Sequence, residues 1–215
     1  MQLVYLHGFA TTPGIWYQQN PDYAPRLDFC GIDEESARLA TDLEPGSILI
    51  GWSMGGMLAI KTAALAQDKL KALVLVSTTP KFLRSADFEF GLSESLLQRL
   101  VKKIRSEGIS AFHSLIFKDR RPEGLAEMSF KKAEKELHEL SKCDLRRQLS
   151  ELKLPTMIIH GSEDAICLPV AAEYMHKQIA NNEIVLLQGV GHAPMIETPG
   201  LFNFHIQRFI QNYAR

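Results

Sequence analysis

Five short stretches of the chain are almost unbroken in apolar residues: "LVYLHG" at 3–8, "SILIGW" at 47–52, "ALVLVST" at 72–78, "TMIIHG" at 156–161 and "EIVLLQG" at 183–189. A half-solvated strand alternates apolar with polar positions, whereas a strand covered on both faces of a parallel sheet has no need to. The missing alternation predicts a mostly parallel sheet. Helical spacing fills the intervals: 33–43 opens with acidic residues, 55–67 repeats Ala and Leu, and 169–180 begins at Pro169, which suits a first helical turn. Strands alternating with helices predict an α/β class, a compact sheet with helices on both faces.

One interval breaks the alternation. Residues 81–150 carry no strand signal and several amphipathic patterns. Over 93–106 the residues Leu96, Leu97, Leu100, Val101 and Ile104 form a stripe, and Gly108 supplies a stop. Helices are also expected over 109–117 and over 123–140, the second with Leu125, Met128, Ala133, Leu137 and Leu140 inward. The expected organisation is a core of 1–80 and 151–215, with 81–150 inserted as a helical lid over the carboxyl edge of the sheet.

The second apolar run leads straight into "GWSMGGMLA". Gly51-Trp52-Ser53-Met54-Gly55 fits G-x-S-x-G between a predicted strand and a predicted helix, the setting in which that pattern presents a nucleophile. A strand that turns sharply into a helix strains its central residue, and side chains two places away would meet the crossing backbone. Partners follow at the ends of later strands. "TMIIHGSEDAICLP" places Asp164 beyond the fourth run, with Glu163 beside it as the alternative acid, and "EIVLLQGVGHAP" places His192 beyond the fifth. A serine hydroxyl needs a base that ionises near neutrality, which imidazole is, and a buried carboxylate to orient that base. The amides of Met54, at the start of the helix, and of Phe9, after His7-Gly8, are expected to meet the oxyanion of a tetrahedral intermediate.

The other histidines read differently. His7 and His160 sit at strand ends before a glycine and are expected to orient loops. His113 lies in the lid, with its tip either toward the pocket or satisfied elsewhere, and His138, His176 and His205 read as surface or packing residues. Cys167 reads as a small buried residue near the acid loop. The three cysteines, Cys30, Cys143 and Cys167, are odd in number and far apart, with no zinc-ligand spacing. A reduced cytoplasmic chain without metal or other cofactor is expected, and "MQLVYLHGF" shows no leader pattern.

With 215 residues and 46% hydrophobic content the chain can build one sizeable core. Its 24 basic residues face 25 acids, so the overall charge draws it toward neither nucleic acid nor an anionic membrane. Local charge changes that picture. Between 99 and 121 seven basic residues (Arg99, Lys102, Lys103, Arg105, Lys118, Arg120, Arg121) stand against Glu107 and Asp119. That run is either a solvated face or a docking surface for an acidic macromolecule such as a carrier protein. Phe82, Phe88, Phe90, Phe112, Leu115 and Ile116 are then candidate walls for an acyl chain, or the lid's own packing.

"YLHGF", "GWSMGGMLA", "LVLVSTTPKF", "CDLRRQLSELKLPTMIIHGSEDAICLP" and "GVGHAPMIETPGLF" resemble the α/β-hydrolase superfamily, and within it the BioH-like pimeloyl-[acyl-carrier protein] methyl ester esterases of biotin synthesis. The resemblance spans most of the chain, the lid only loosely. It implies a cofactor-free, monomeric serine carboxylesterase with Ser53, Asp164 and His192 as triad and Phe9 and Met54 at the oxyanion hole. It also implies a pocket formed by Trp52, Phe112, His113, Ser114, Leu115 and Ile116, and an acidic carrier docked on Arg99, Lys102, Lys103, Arg120 and Arg121. A thioesterase or small-molecule lyase of the same fold, and a non-catalytic binding protein, are the rival expectations. Members of that family carry extra strands ahead of the nucleophile; here only "RLDF" near 27 hints at one.

Overall fold

The computed structural model describes residues 1–27, 29 and 31–213. Its sheet contains β1 (Leu3–Leu6), β2 (Ser47–Trp52), β3 (Leu70–Val76), β4 (Thr156–Gly161) and β5 (Asn182–Leu187), all parallel and in that spatial order. Each of the five apolar runs has become a strand, two of them with the expected bounds and the other three shifted by one to two residues at the ends. β2 and β4 are buried at every position, as their unbroken apolar character requires. Burying one such Ile or Leu side chain contributes roughly 1.5–3 kcal/mol.

The helices α1 (Ile32–Asp42), α2 (Met54–Leu65) and α7 (Pro169–Gln178) connect neighbouring strands, and α6 (Arg146–Glu151) packs between α2 and α7. Successive right-handed crossovers that step in one direction lay their helices on one face of a sheet. The other face is left to the C-terminal α8 (Pro194–Glu197) and α9 (Pro199–Gln211) and to a 3-10 turn at Pro13–Trp16. There Phe202 stacks on Trp16, which in turn meets the Tyr5 ring of β1 edge-on at 5.0 Å.

Between β3 and β4 run α3 (Glu94–Glu107), α4 (Ser110–Phe117) and α5 (Phe130–Lys142). Ser93 caps α3 by accepting from the Leu96 amide, and Gly108, at φ 81°, ends it. One expectation is corrected here. The helix predicted over 123–140 starts only at Phe130, behind the Ser129 cap. Residues 123–126 are instead stitched to the loop after β1. The Thr12 amide donates to the Gly124 carbonyl at 2.7 Å and the Ala126 amide to that of Ala10 at 3.1 Å, with Gly124 at φ 75° lying so close to Ile15 that a Cβ would overlap its nitrogen. At the end of the expected insertion, α6 packs on the core helices α2 and α7.

Among the described residues of "RLDF", Arg26, Leu27 and Phe29, no strand forms; Asp28 and Cys30 lie outside the described residues. The outer edge of β1 is met instead by Tyr23, whose amide and carbonyl bond to the Leu3 carbonyl and Tyr5 amide.

Candidate active site

The turn from β2 into α2 explains its glycines. Ser53 is held at φ 55° and ψ −121°, a conformation that side-chain-bearing residues rarely adopt, and Thr78 Oγ1 donates to its carbonyl at 2.7 Å. A Cβ on Gly51 would lie 2.3 Å from the Gly55 carbonyl oxygen, and one on Gly55 would lie 2.3 Å from that of Leu6. Helix α2 can therefore press against the strand ends only where both positions lack side chains. Strain and close approach together push the Ser53 hydroxyl out at the carboxyl edge of the sheet.

There it meets the residues that follow β4 and β5. The Ser53 hydroxyl lies 2.9 Å from His192 Nε2, and His192 Nδ1 lies 2.8 Å from Asp164 Oδ2. A carboxylate only accepts, so Nδ1 carries the imidazole proton and Nε2 is free to accept from the serine. Asp164 Oδ1 accepts from the amides of Ile166 and Cys167 at 2.9 and 3.0 Å. Burial alone would push this carboxyl up. The charge of His192 and the hydrogen bonds from His160 and His192 outweigh it and hold Asp164 well below the usual carboxylate range. Glu163, the alternative acid, makes none of these contacts; its amide bonds to the Val190 carbonyl.

Among the described residues the amides of Phe9 and Met54 make no backbone hydrogen bond outside helices and strands, and both residues line the same cavity as Ser53. Gly8 brings the first loop close, since a Cβ there would lie 3.3 Å from that of Ser53. The site thus offers a hydroxyl, an imidazole and, beside them, the two residues whose amides are the expected oxyanion donors.

His7 fixes that loop. Its Nδ1 donates to the Gly8 carbonyl at 3.0 Å and its Nε2 accepts from the Leu27 amide at 3.2 Å. With both nitrogens used and the ring buried, its pKa is pushed down to about 4, chiefly by desolvation. The unfolded chain then binds this proton near pH 6.5 and the folded chain only near pH 4, so stability falls as pH drops through that window, by up to about 3 kcal/mol. The corresponding loss from Asp164, whose folded pKa is lowered, begins only below about pH 4. Urea unfolding from pH 4 to 7 should show the slope, and His7→Gln should flatten it; an equally steep curve in the variant would refute the assignment.

The cavity beside Ser53 is walled by the core through Phe9, Met54 and Ile166, and by the insertion through Phe82, Leu100, Phe112, Leu137 and Leu140. No charged side chain lines it, and water centres reach only about 20 Å³ of it, room for one or two waters.

Of the six residues expected to form the pocket, Phe112 alone lines this cavity; it packs edge-on against Phe9 at 4.9 Å. His113 turns away, with Nε2 donating to the Ala10 carbonyl at 2.8 Å, and so ties the insertion to the loop after β1. Ser114 and Leu115 face solvent, Leu115 with 50% exposure, and Ile116 is in the core. Trp52 lies beneath His192 and donates to its carbonyl at 2.8 Å, steadying the base rather than walling a pocket. Phe88 and Phe90 pack on Tyr174 of α7.

Arg99, Lys102, Lys103, Arg120 and Arg121 are all exposed. Arg99 and Lys102, three apart on α3, share one outward face and have no acidic partner among the described residues. Lys103 pairs with Glu107, Arg121 folds back onto nearby carbonyls, and Arg105 is engaged by Glu134 and the Phe130 ring. Among the described residues no group of three or more His, Cys, Asp or Glu could hold a metal ion, and no helix is long and apolar enough to cross a membrane.

Residues 37–199 match the Hydrolase_4 family, described as serine aminopeptidase, S33. The chain is similar to a pimeloyl-[acyl-carrier protein] methyl ester esterase of Nitrosospira multiformis, 29% identical over 251 aligned positions that cover 96% of this chain and 93% of that one. Its counterpart of the same description in Nitrosomonas europaea is 28% identical, covering 93% and 92%. Among solved structures, an esterase from Exiguobacterium antarcticum superposes with a TM-score of 0.82 at 20% identity, covering 98% of this chain and 92% of that one. A bromoperoxidase from Bacillus anthracis gives 0.83 at 20%, covering 97% and 91%. At such identities the two structures speak to the α/β-hydrolase fold alone.

Proposed function

The chain belongs to the Hydrolase_4 family and is a carboxylic ester hydrolase, and on that footing we propose that Ser53, His192 and Asp164 are its catalytic triad and the methyl ester of a carrier-bound pimeloyl chain its substrate. The observation that carries the mechanism is the continuous hydrogen-bond line from Ser53 through His192 to Asp164 at the edge of an apolar cavity. The description of the relatives supports the substrate. An aminopeptidase would need a carboxylate in the pocket to hold the substrate's terminal ammonium, and the cavity lining contains none.

The steps follow from the geometry. Ser53 Oγ attacks the ester carbonyl carbon as its proton passes to His192 Nε2, and the resulting oxyanion meets the amides of Phe9 and Met54. Collapse breaks the bond to the methoxy oxygen, which takes the proton from His192 and leaves as methanol. Water then attacks the acyl-serine, its proton again going to His192, and the free carboxylate is released as Ser53 recovers its proton. Asp164 stays ionised throughout and stabilises the transient imidazolium.

Arg99 and Lys102 are proposed to receive the acidic carrier. Rim charges of this kind act mainly on encounter rate. Methanol release from the carrier-linked ester tests both parts. With Arg99→Gln and Lys102→Gln combined, kcat/KM on that substrate should fall by roughly 10-fold at low salt, with hydrolysis of a small p-nitrophenyl ester unchanged. Brisk small-ester cleavage by the parent protein without turnover of the carrier ester would discard the substrate and keep the triad.

A further inference from the structure

His160, at the end of β4, is fully buried and unused by the steps above. Its Nε2 lies 2.7 Å from the Cys167 carbonyl oxygen and 3.2 Å from Asp164 Oδ2. Both are acceptors only, so Nε2 carries a proton. Its Nδ1 is buried and has no hydrogen-bond partner among the described residues. We propose that His160 is a positioning residue for the triad, an Nε2–H donor that holds the Asp164 carboxylate and the turn from Asp164 to Cys167. This rests on the triad reading.

Asp164 needs such a clamp because it stands on a loop beyond the last β4 hydrogen bond, not on the strand itself. Two amides of its own turn hold Oδ1, but among the described residues Oδ2, the atom that orients His192, is met only by the two imidazoles, His192 Nδ1 at 2.8 Å and His160 Nε2 at 3.2 Å. A donor from His160 fixes Oδ2 from the rigid strand side. It has a second effect. Each hydrogen bond to Oδ2 withdraws charge from it, so His160 weakens the carboxylate's hold on protonated His192 and keeps that proton transferable to the leaving methoxide. The other ionisable groups around His192 are Cys167 and Glu197. Cys167 lines the cavity beside Ser53, its thiol pushed well up by burial, and Glu197 on α8 accepts from the amides of Gly191 and Ala193. Neither donates to Oδ2.

The test compares His160→Phe, which fills the space without a donor, with His160→Gln, whose amide nitrogen can occupy the place of Nε2. In His160→Phe, kcat on a small p-nitrophenyl ester should fall about 10-fold with KM unchanged, and the acid limb of the kcat/KM profile should move up by about half a pH unit. His160→Gln should restore most of both. A purely structural histidine would lower activity without moving the limb, and equal profiles in the two variants would overturn the proposal. If His160→Phe does not fold, nitrogen-15 NMR of the parent protein decides: a His160 ring without a proton on Nε2 refutes the donor. Ser53→Ala separates the two levels of inference, because activity surviving in that variant removes the triad itself, whereas an inert variant with indifferent His160 substitutions removes only the clamp.

Discussion

Ser53→Ala is expected to abolish ester hydrolysis, lowering kcat by about a million-fold and leaving only the slow turnover that the Phe9 and Met54 amides and the cavity can support. The size follows from what the serine alone supplies. Among the described residues its hydroxyl is the one group in hydrogen-bond reach of His192 Nε2, and without it the base has no side chain to activate. Folding should be intact, since the turn is held by backbone contacts: the Ser53 amide donates to Val76, the carbonyl accepts from Thr78, and the glycines at 51 and 55 admit α2. The φ of 55° is kept by those contacts and not by the hydroxyl, so the melting temperature should stay within about 2 °C. Parallel assays of small-ester hydrolysis, labelling by a fluorophosphonate and thermal unfolding give the check. A variant that still cleaves esters within 100-fold of the parent would show that another nucleophile does the work.

The residues that were legible in the sequence and those that were not differ in what specifies them. The five strands were legible because burial on both faces leaves an unbroken apolar run, and Ser53, Asp164 and His192 because each follows such a run at a glycine-bearing turn. Local pattern failed where tertiary contacts decide. Residues 123–126 have helical spacing, yet their amides and carbonyls are claimed by the loop at 10–12. Helix α4 has five apolar residues among eight, which marks no unique inner face, so Leu115 could not be told from Phe112 until α3 and the loop after β1 were in place. His160 was recognisable as a strand-end histidine that orients a loop. That the loop is the one bearing Asp164, and that the contact reaches the carboxylate itself, required the distances. Trp52 carries the same lesson: a large aromatic next to the nucleophile suggests a pocket wall, but its indole N–H is spent on the carbonyl of His192.

Asp164→Asn is expected to lower kcat by about ten-thousand-fold, because the substitution inverts the tautomer of the base. The direction comes from the pinned oxygen. Oδ1 accepts from two backbone amides, so an asparagine must leave its carbonyl oxygen there and put its NH2 where Oδ2 stood. That NH2 then faces two donors, the Nδ1–H of His192 and the Nε2–H of His160. His192 escapes by moving its proton to Nε2, which now points an N–H at Ser53 and can no longer accept the hydroxyl proton. His160 has no such escape, because its Nε2–H is also bound to the Cys167 carbonyl at 2.7 Å. The variant should therefore lose stability as well as activity, by about 1–3 kcal/mol for a buried polar clash. Urea unfolding and small-ester kinetics measured on the same preparation separate the two losses. Activity within 10-fold of the parent would mean that Asp164 does not set the tautomer of His192. Replacing His160 with phenylalanine in this background discriminates further: it removes the buried clash, so stability should return in part while kcat stays low, because the tautomer of His192 is still wrong.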